Sequence, residues 1–207
     1  MQTEKVDKIF SHFATLFGEN PKCELNYADD LQLLVAIILS AQCTDKRVNM
    51  VTPALFARFK TIADYATADP HEVEKYIYST GFYRNKAKNI ISLCRDLNDK
   101  GESKIPDDID ALTALAGVGR KTASVFVSEF YGIPAIPVDT HVSRVSQRLG
   151  FSKGTTPEAI ERDLGKILAR GNWSKYHLYM VLFGRYHCTA KKPDCKNCMI
   201  KEFCDLN

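Results

Sequence analysis

Ala111-Leu112-Thr113-Ala114-Leu115-Ala116-Gly117-Val118-Gly119-Arg120-Lys121-Thr122-Ala123-Ser124-Val125-Phe126-Val127-Ser128-Glu129-Phe130 reads as a helix, a tight turn and a second helix. Ala111, Leu112 and Leu115 close the first helix, and Ala123, Val125, Phe126, Val127 and Phe130 mark the apolar side of the second. Gly117 and Gly119 permit positive φ and close backbone approach, and the free amides that open the second helix can hold a phosphate. Two glycines between helices are also common in plain helical hairpins, so the turn alone supports nucleic-acid binding only weakly. Arg120 and Lys121 strengthen that reading, because a basic pair at a helix N-terminus opposes the helix dipole and does not serve stability. An amine placed there can act as a nucleophile in its neutral form. The alternative is a phosphate-binding lysine that keeps its charge.

Outward from this hairpin, nearly every periodic segment is helical. Val6, Ile9, Phe10, Phe13, Leu16 and Phe17 form one stripe on a helix that Gly18 can end. Asp30 is expected to cap a helix over Leu31 to Ala41, apolar almost all round and therefore central in the core. Asp69-Pro70-His71-Glu72 has the residues of a capped start, with Pro70 at the first helical position and Glu72 able to reach back. Ala87, Ile90, Ile91, Cys94 and Leu97 mark a longer helix ending near Gly101. Further starts fall at Asp107 or Asp108, at Asp139 and Thr140, and at Thr155 or Thr156 before Pro157. The best extended candidate, Ile133 to Val138, contains Pro134 and Pro137 and lacks a partner strand, so it reads as a connector. No internal repeat, low-complexity tract or flexible linker is visible. The expected fold is all-α, with about ten helices joined by loops of usual length.

A chain of 207 residues, 45% hydrophobic and 26% charged, can build one large globular domain or two small ones. Met1 to Phe17 mixes Glu4, Lys5, Asp7 and Lys8 with its apolar residues, which argues against a secretory signal. The longest apolar stretch, Leu33 to Leu39, is too short to span a bilayer. The expected location is the cytoplasm, nucleoid-associated in a bacterium, or the nucleus of a cell that has one. A net charge of +3 is too mild to prove a polyanionic partner. Position matters more: Arg120, Lys121, Arg144, Arg148, Arg185, Lys191, Lys192 and Lys196 all lie in the second half and would form a basic surface if the fold gathers them.

Val138-Asp139-Thr140-His141-Val142 follows the connector and places an acid at the first turn of a new helix. Its default reading is an N-cap. The functional reading has Asp139 facing Lys121 across a cleft, where a carboxylate could take the lysine's proton and stabilise positive charge developing on a sugar. His141 is a candidate partner of that acid, although a hydrogen-bonded core histidine is the plainer reading. Seven cysteines divide into scattered Cys23, Cys43 and Cys94, expected as core fillers, and a C-terminal group of Cys188, Cys195, Cys198 and Cys204. The group has six, two and five residues between members, and in a reducing compartment it points to a metal centre rather than disulfides. Spacing leaves open a tetrahedral zinc or a cubic iron-sulfur cluster. Lys191, Lys192 and Lys196 fall between these ligands, as a basic loop aimed at phosphate or as solubilising charge.

Leu115-Ala116-Gly117-Val118-Gly119-Arg120-Lys121-Thr122-Ala123, then Val138-Asp139-Thr140-His141, then the four-cysteine tail closely resemble the endonuclease III family in order and separation. Leu39-Ser40-Ala41-Gln42 with Thr44-Asp45, and Thr80-Gly81-Phe82-Tyr83-Arg84-Asn85-Lys86-Ala87, look like further segments of it. The resemblance implies two helical lobes with a DNA cleft between them, residues 22–132 forming one and residues 1–21 with 133–207 the other. It implies a 4Fe-4S cluster on Cys188, Cys195, Cys198 and Cys204, a monomer, and oxidised pyrimidines flipped out of double-stranded DNA as substrates. In the implied mechanism Lys121 attacks the sugar C1′, the damaged base leaves, and the Schiff base permits β-elimination on the 3′ side of the abasic site. Asp139 activates Lys121 and supports the sugar cation.

The same resemblance puts Gln42 and Phe82 where the family fills the gap left by the flipped nucleotide, and Gly117, Gly119, Arg120 and Lys191 at DNA phosphates. Ser40, Asp45 and His141 are base-pocket candidates, with a helix-end hydroxyl and an N-cap as the plain alternatives for the first two. The chain departs from the family's usual pattern at Ala116, often proline, at Cys43, usually small or hydroxylated, and at Phe82, commonly leucine. The last bears on the geometry of the wedge. Two rivals follow: an adenine- or thymine-mismatch glycosylase of the same superfamily, and a non-catalytic iron-sulfur DNA-binding protein. Lys121 and an ending at Asn207 argue against the first, and the pairing of Lys121 with Asp139 argues against the second.

Overall fold

The computed structural model describes residues 2–205; Met1 and Asn207, on which the expectations about a leader and an ending rest, lie outside the described residues. Among the described residues the regular elements are eleven α-helices and three short 3-10 turns, with no strand. The helices are α1 (Gln2–Phe17), α2 (Asp30–Ser40), α3 (Asp45–Arg58), α4 (Ile62–Ala66), α5 (Pro70–Ile77), α6 (Tyr83–Asp99), α7 (Ile109–Thr113), α8 (Arg120–Phe130), α9 (Thr140–Arg148), α10 (Pro157–Ile167) and α11 (Trp173–Tyr186). The segment 133–138 is a non-helical connector, as its two prolines require. The chain divides into two compact units, Glu24–Tyr131 and Met1–Cys23 with Gly132–Asn207.

The first unit is organised around α2, whose residues from Leu33 to Leu39 are all buried. It packs against α3, α6 and α8. A helix apolar on every side has no other stable environment, and each large aliphatic side chain sequestered in this way contributes roughly 1.5–3 kcal/mol. Its cap is Asp29, which accepts from the Gln32 amide at 2.8 Å, and not the expected Asp30. Asp30 begins the helix, and its second oxygen accepts from the Ile105 amide at 2.8 Å, which ties down the segment leading to α7.

At α5, Asp69 caps the His71 amide at 2.9 Å as expected. Glu72, by contrast, does not reach back. Its carboxylate is taken by Arg58 at 2.7 Å, because a guanidinium fork is the stronger partner. Reciprocal capping occurs instead at α4, between Thr61 and Asp64.

The second unit joins α1 to the C-terminal helices. Val6, Ile9, Phe10 and Phe13 bury against Val142 and Val145 of α9, Ile160 and Leu164 of α10, and Tyr179, Met180 and Phe183 of α11. Phe10 stacks on Tyr176 with centroids 3.8 Å apart, and the Tyr179 hydroxyl donates to the Gly18 carbonyl at 2.7 Å. Gly18 itself ends α1 at φ 80°. The stripe read from the sequence therefore faces α9, α10 and α11.

Candidate functional site

The hairpin begins with Asp108, whose carboxylate accepts from the Ala111 amide at 2.8 Å and caps α7. The turn closes through Leu115 N–H to Leu112 C=O at 3.0 Å and Val118 N–H to Leu115 C=O at 3.2 Å. The two glycines do different work, against the expectation that both would exploit positive φ. Gly117 stands at φ 77°, and a Cβ there would lie 2.7 Å from the Asn89 side chain of α6. Gly119 is extended, at φ −84° and ψ 168°, and a Cβ on it would meet nothing within 4 Å. It serves as the N-cap of α8 without a side-chain hydrogen bond, so the first amides of that helix have no side-chain cap. Arg120 and Lys121 are the first two residues of α8, and both are exposed. Among the described residues the Lys121 ammonium has no hydrogen-bond or ion-pair partner.

Asp139 is the N-cap of α9. Its Oδ1 accepts from the amides of His141 and Val142, both at 2.8 Å, and both cap bonds fall on that one oxygen. The plain reading of Asp139 is thus correct, and it leaves Oδ2 for other work. Lys121 belongs to the 24–131 unit and Asp139 to the other. His141 is half-buried, with Nδ1 3.2 Å from Nη2 of Arg144 and its Cβ against Gly184, so it is hydrogen-bonded as the plainer reading had it but is not a core residue.

The four C-terminal cysteines come together. Cys188 follows α11, its amide bonded to the Phe183 carbonyl at 2.8 Å, while Cys198 and Cys204 bracket the 3-10 turn Lys201–Phe203. All four line one cavity of about 260 Å³, floored by Leu16, Val145 and Phe183. Burial pushes the Cys198 thiol up, and the neighbouring thiols of Cys188, Cys204 and Cys195 push it further. The volume and the thiol donors fit a group of several atoms that takes one sulfur at each corner. Lys191, Lys192 and Lys196 are exposed on the intervening loop.

Two arginines of α9, read from sequence as basic surface, face inward onto this loop. Arg148 Nη1 donates to Cys188 Sγ at 3.1 Å and to the Thr189 carbonyl at 2.9 Å, and Nη2 reaches the Ala190 carbonyl at 3.4 Å. Arg144 donates from Nε to the Cys188 carbonyl at 3.0 Å and from Nη2 to the Gly184 carbonyl at 2.7 Å. The guanidinium of Arg148 thus fixes the position of the Cys188 sulfur beside the cavity. Their spacing of four residues, which places both on one helix face, was the only signal for this.

Gln42 and Phe82 share an unusual backbone. They are the only non-glycine residues at positive φ among the described residues, at 54° and 48°, and both are exposed, Phe82 by 64%. Each such conformation costs on the order of 1 kcal/mol and persists only where its surroundings enforce it. Ser40 is the helix-end hydroxyl of its plain reading, donating to Ile37 C=O at 2.8 Å. Asp45 is not a cap, since Thr44 holds that position and Asp45 is the first residue of α3. Of the scattered cysteines only Cys94 is a core filler, its thiol pushed up to about 12 by burial, whereas Cys23 and Cys43 are only half-buried.

Residues 35–170 match the HhH-GPD superfamily of base excision DNA repair proteins. The chain is 46% identical to endonuclease III of Rickettsia conorii over 99% of its own length and 97% of that protein's. It is 48% identical to endonuclease III of Synechocystis sp. over 88% and 84% of the two chains. The solved structure of a trapped endonuclease III–DNA covalent intermediate, an estranged-adenine complex, superposes with a TM-score of 0.92 at 45% identity, covering 98% of this chain and 95% of that one.

Proposed function

This chain belongs to the endonuclease III family within the HhH-GPD superfamily of base excision DNA repair proteins, and we propose that Lys121 and Asp139 carry out its chemistry on oxidised pyrimidines. It is a DNA glycosylase that also cleaves the strand at abasic sites, and its partner is damaged DNA. The observation that carries the residue assignment is the position of Lys121. An exposed, unpartnered amine stands at the uncapped start of α8, in a fold that overlays a covalent protein–DNA intermediate.

Lys121 Nζ, as the neutral amine, attacks C1′ of the damaged nucleotide. The C1′–N bond breaks with its electron pair going to the base, which leaves protonated. Nζ loses one proton, O4′ takes up a proton as the sugar ring opens, and the iminium left between Nζ and C1′ keeps the remaining N–H. Loss of a C2′ proton then expels the 3′ phosphate by β-elimination, and water releases Lys121. Asp139 accepts the lysine's proton and stabilises the cationic sugar through its carboxylate. The bare amides opening α8, together with Arg120 and the Gly117–Gly119 turn, hold phosphate without reading sequence. Gln42 and Phe82 fill the space that the flipped nucleotide vacates. Ser40, Asp45 and His141 would line the base pocket, Ser40 while donating to the Ile37 carbonyl and His141 while paired with Arg144.

Cys188, Cys195, Cys198 and Cys204 would hold a 4Fe-4S cluster. When bound it would supply a rigid frame for the loop that presents Lys191, Lys192 and Lys196 to the DNA backbone. The test of the central assignment is Lys121→Gln. Borohydride trapping and strand cleavage should vanish while DNA binding persists, and a trapped complex formed by nuclease-free variant would identify another amine as the nucleophile.

A further inference from the structure

The two strained residues, Gln42 and Phe82, sit on different turns, one after α2 and one before α6, and a single buried side chain reaches the backbone of both. Lys86, in the first turn of α6, is only 5% exposed. Its Nζ donates to the carbonyls of Leu39 at 2.8 Å, Ala41 at 2.9 Å and Thr80 at 2.8 Å. Its amide donates to the carbonyl of Phe82 itself at 3.1 Å. We propose that Lys86 is the positioning residue of the gap-filling pair: by joining the turn after α2 to the turn before α6, it makes Gln42 and Phe82 enter DNA as one rigid element. This rests on the reading of Gln42 and Phe82 as the residues that fill the gap.

The chemistry of the site explains why a lysine is there. An ammonium has three donors and no acceptor, and here three carbonyls use all of them. Leu39 and Ala41 lie at the C-terminal end of α2, where carbonyls lack helical partners and the helix dipole favours a cation. The hydroxyl of Thr80 is already spent on the Ile77 carbonyl at 2.8 Å, so its own carbonyl has to find a donor elsewhere. Among the described residues no carboxylate pairs with Lys86, so its desolvation is offset chiefly by the three carbonyl dipoles. That desolvation depresses its proton affinity, while nearby Cys43 works the other way. Methionine would fill the same space but deprive three carbonyls, two of them in buried hydrogen bonds, of this donor.

Both tethered turns need such a constraint. Ala41 immediately precedes Gln42, and Thr80 is separated from Phe82 only by Gly81 at φ 71°. Two residues in a disfavoured backbone region, each carrying an exposed side chain, keep a fixed direction only if the carbonyls beside them are held. A phenyl ring or amide free to swing would lose part of its binding energy to ordering each time it entered the duplex.

The test combines Lys86→Met, Lys86→Gln and Lys86→Arg with Gln42→Ala and Phe82→Ala, in protein whose iron content and melting temperature are measured alongside. Lys86→Met should slow base excision from fully paired DNA at least tenfold more than strand cleavage at a pre-formed abasic site. The selective part of that loss should disappear when Lys86→Met is added to the Gln42→Ala/Phe82→Ala protein. Lys86→Gln should fall between, and Lys86→Arg should recover part of the selectivity. Equal loss on both substrates, additive in the double-alanine background, would overturn the proposal in favour of a purely structural lysine.

Two readouts keep the question separable. Hydrogen exchange should show residues 41–43 and 80–82 losing protection together in Lys86→Gln, and independent loss at one turn alone would refute the tether even if Gln42 and Phe82 proved not to be the wedge. If the Lys86 variants fail to fold, the wild-type background decides. Gln42→Ala and Phe82→Ala should be non-additive on paired DNA, and strictly additive losses would again overturn a single rigid element.

Discussion

Replacing Gly117 by alanine should unfold the hairpin's geometry while replacing Gly119 should spare it, and the difference can be worked from the turn. At φ 77° an L-residue pays roughly 1–2 kcal/mol for the left-handed conformation. The added methyl would also stand 2.7 Å from Cβ and Nδ2 of Asn89, an overlap with a packed helix that costs about 1–3 kcal/mol to relieve. Reduced freedom of the unfolded chain returns about 0.4–1 kcal/mol. The net loss is about 1–4.5 kcal/mol, or a fall in Tm of roughly 2–18 °C for a chain of this size. Gly119→Ala meets open space at ordinary φ, and the roughly 0.5–1 kcal/mol it loses as an N-cap is offset by the about 0.4–1 kcal/mol gained from a less flexible unfolded chain.

Thermal unfolding followed by circular dichroism at 222 nm separates the two variants, and Gly117→Ala/Asn89→Ala should recover only the part of the steric loss that comes from Cγ and Nδ2 of Asn89, because alanine keeps the Cβ 2.7 Å away. DNA affinity supplies the second axis. Gly119→Ala should weaken binding out of proportion to its stability, because its methyl crowds the place where a phosphate meets the α8 amides. If Gly117→Ala lost less than about 0.5 kcal/mol, the division of roles between the two glycines would be wrong.

Asp139→Asn keeps a side-chain oxygen for the His141 and Val142 amides, so its Tm should match the wild type while base removal slows by orders of magnitude; Asp139→Ala should lose about 1 kcal/mol besides. A thermal shift in Asp139→Asn as large as that in Asp139→Ala would show that the charge, not the cap, is structural. Anaerobically purified protein should be yellow-brown and contain both iron and acid-labile sulfide, and stoichiometric zinc without sulfide would overturn the cluster assignment. Arg148→Met removes the donor to Cys188 Sγ and should speed loss of the visible chromophore in air relative to wild type, with unchanged bleaching counting against a role for that bond. Gln42→Ala and Phe82→Ala should each weaken excision more in paired DNA than at a pre-formed abasic site, where less unstacking must be offset, and equal losses would argue against a wedge.

The helical architecture was legible where a periodic stripe ended in a recognisable cap or glycine. Val6 to Phe17 with Gly18, Ala87 to Leu97 with Gly101, and Thr156 before Pro157 all declare themselves locally. The errors fell where two residues of one type compete for a cap or where a distant partner intervenes. Asp29 and Asp30 are indistinguishable as caps by composition, and the choice is made by Ile105, far along the chain, which takes the Asp30 carboxylate. Glu72 is diverted by Arg58 for the same reason. Helix α3 went unread because its interior Pro53 interrupts the pattern.

In the site, what could be read locally was the type of residue, and what could not was the direction in which a charge points. Arg144 and Arg148 look like solvated positive charge in a chain of net charge +3, yet both turn inward, because the loop that follows α11 leaves the carbonyls of Gly184, Cys188, Thr189 and Ala190 without helical partners. Lys86 is the same case in the other unit. It lies four residues before Ile90, on the buried stripe of α6, and a lysine in that register has either to be paired or to cap carbonyls. The sequence pattern therefore does contain a usable signal: a basic residue falling on the apolar face of a helix marks a buried acceptor nearby. Which acceptor it is depends on contacts spanning some forty residues, Leu39 and Ala41 to Lys86 and Arg148 to Thr189, that no local window holds.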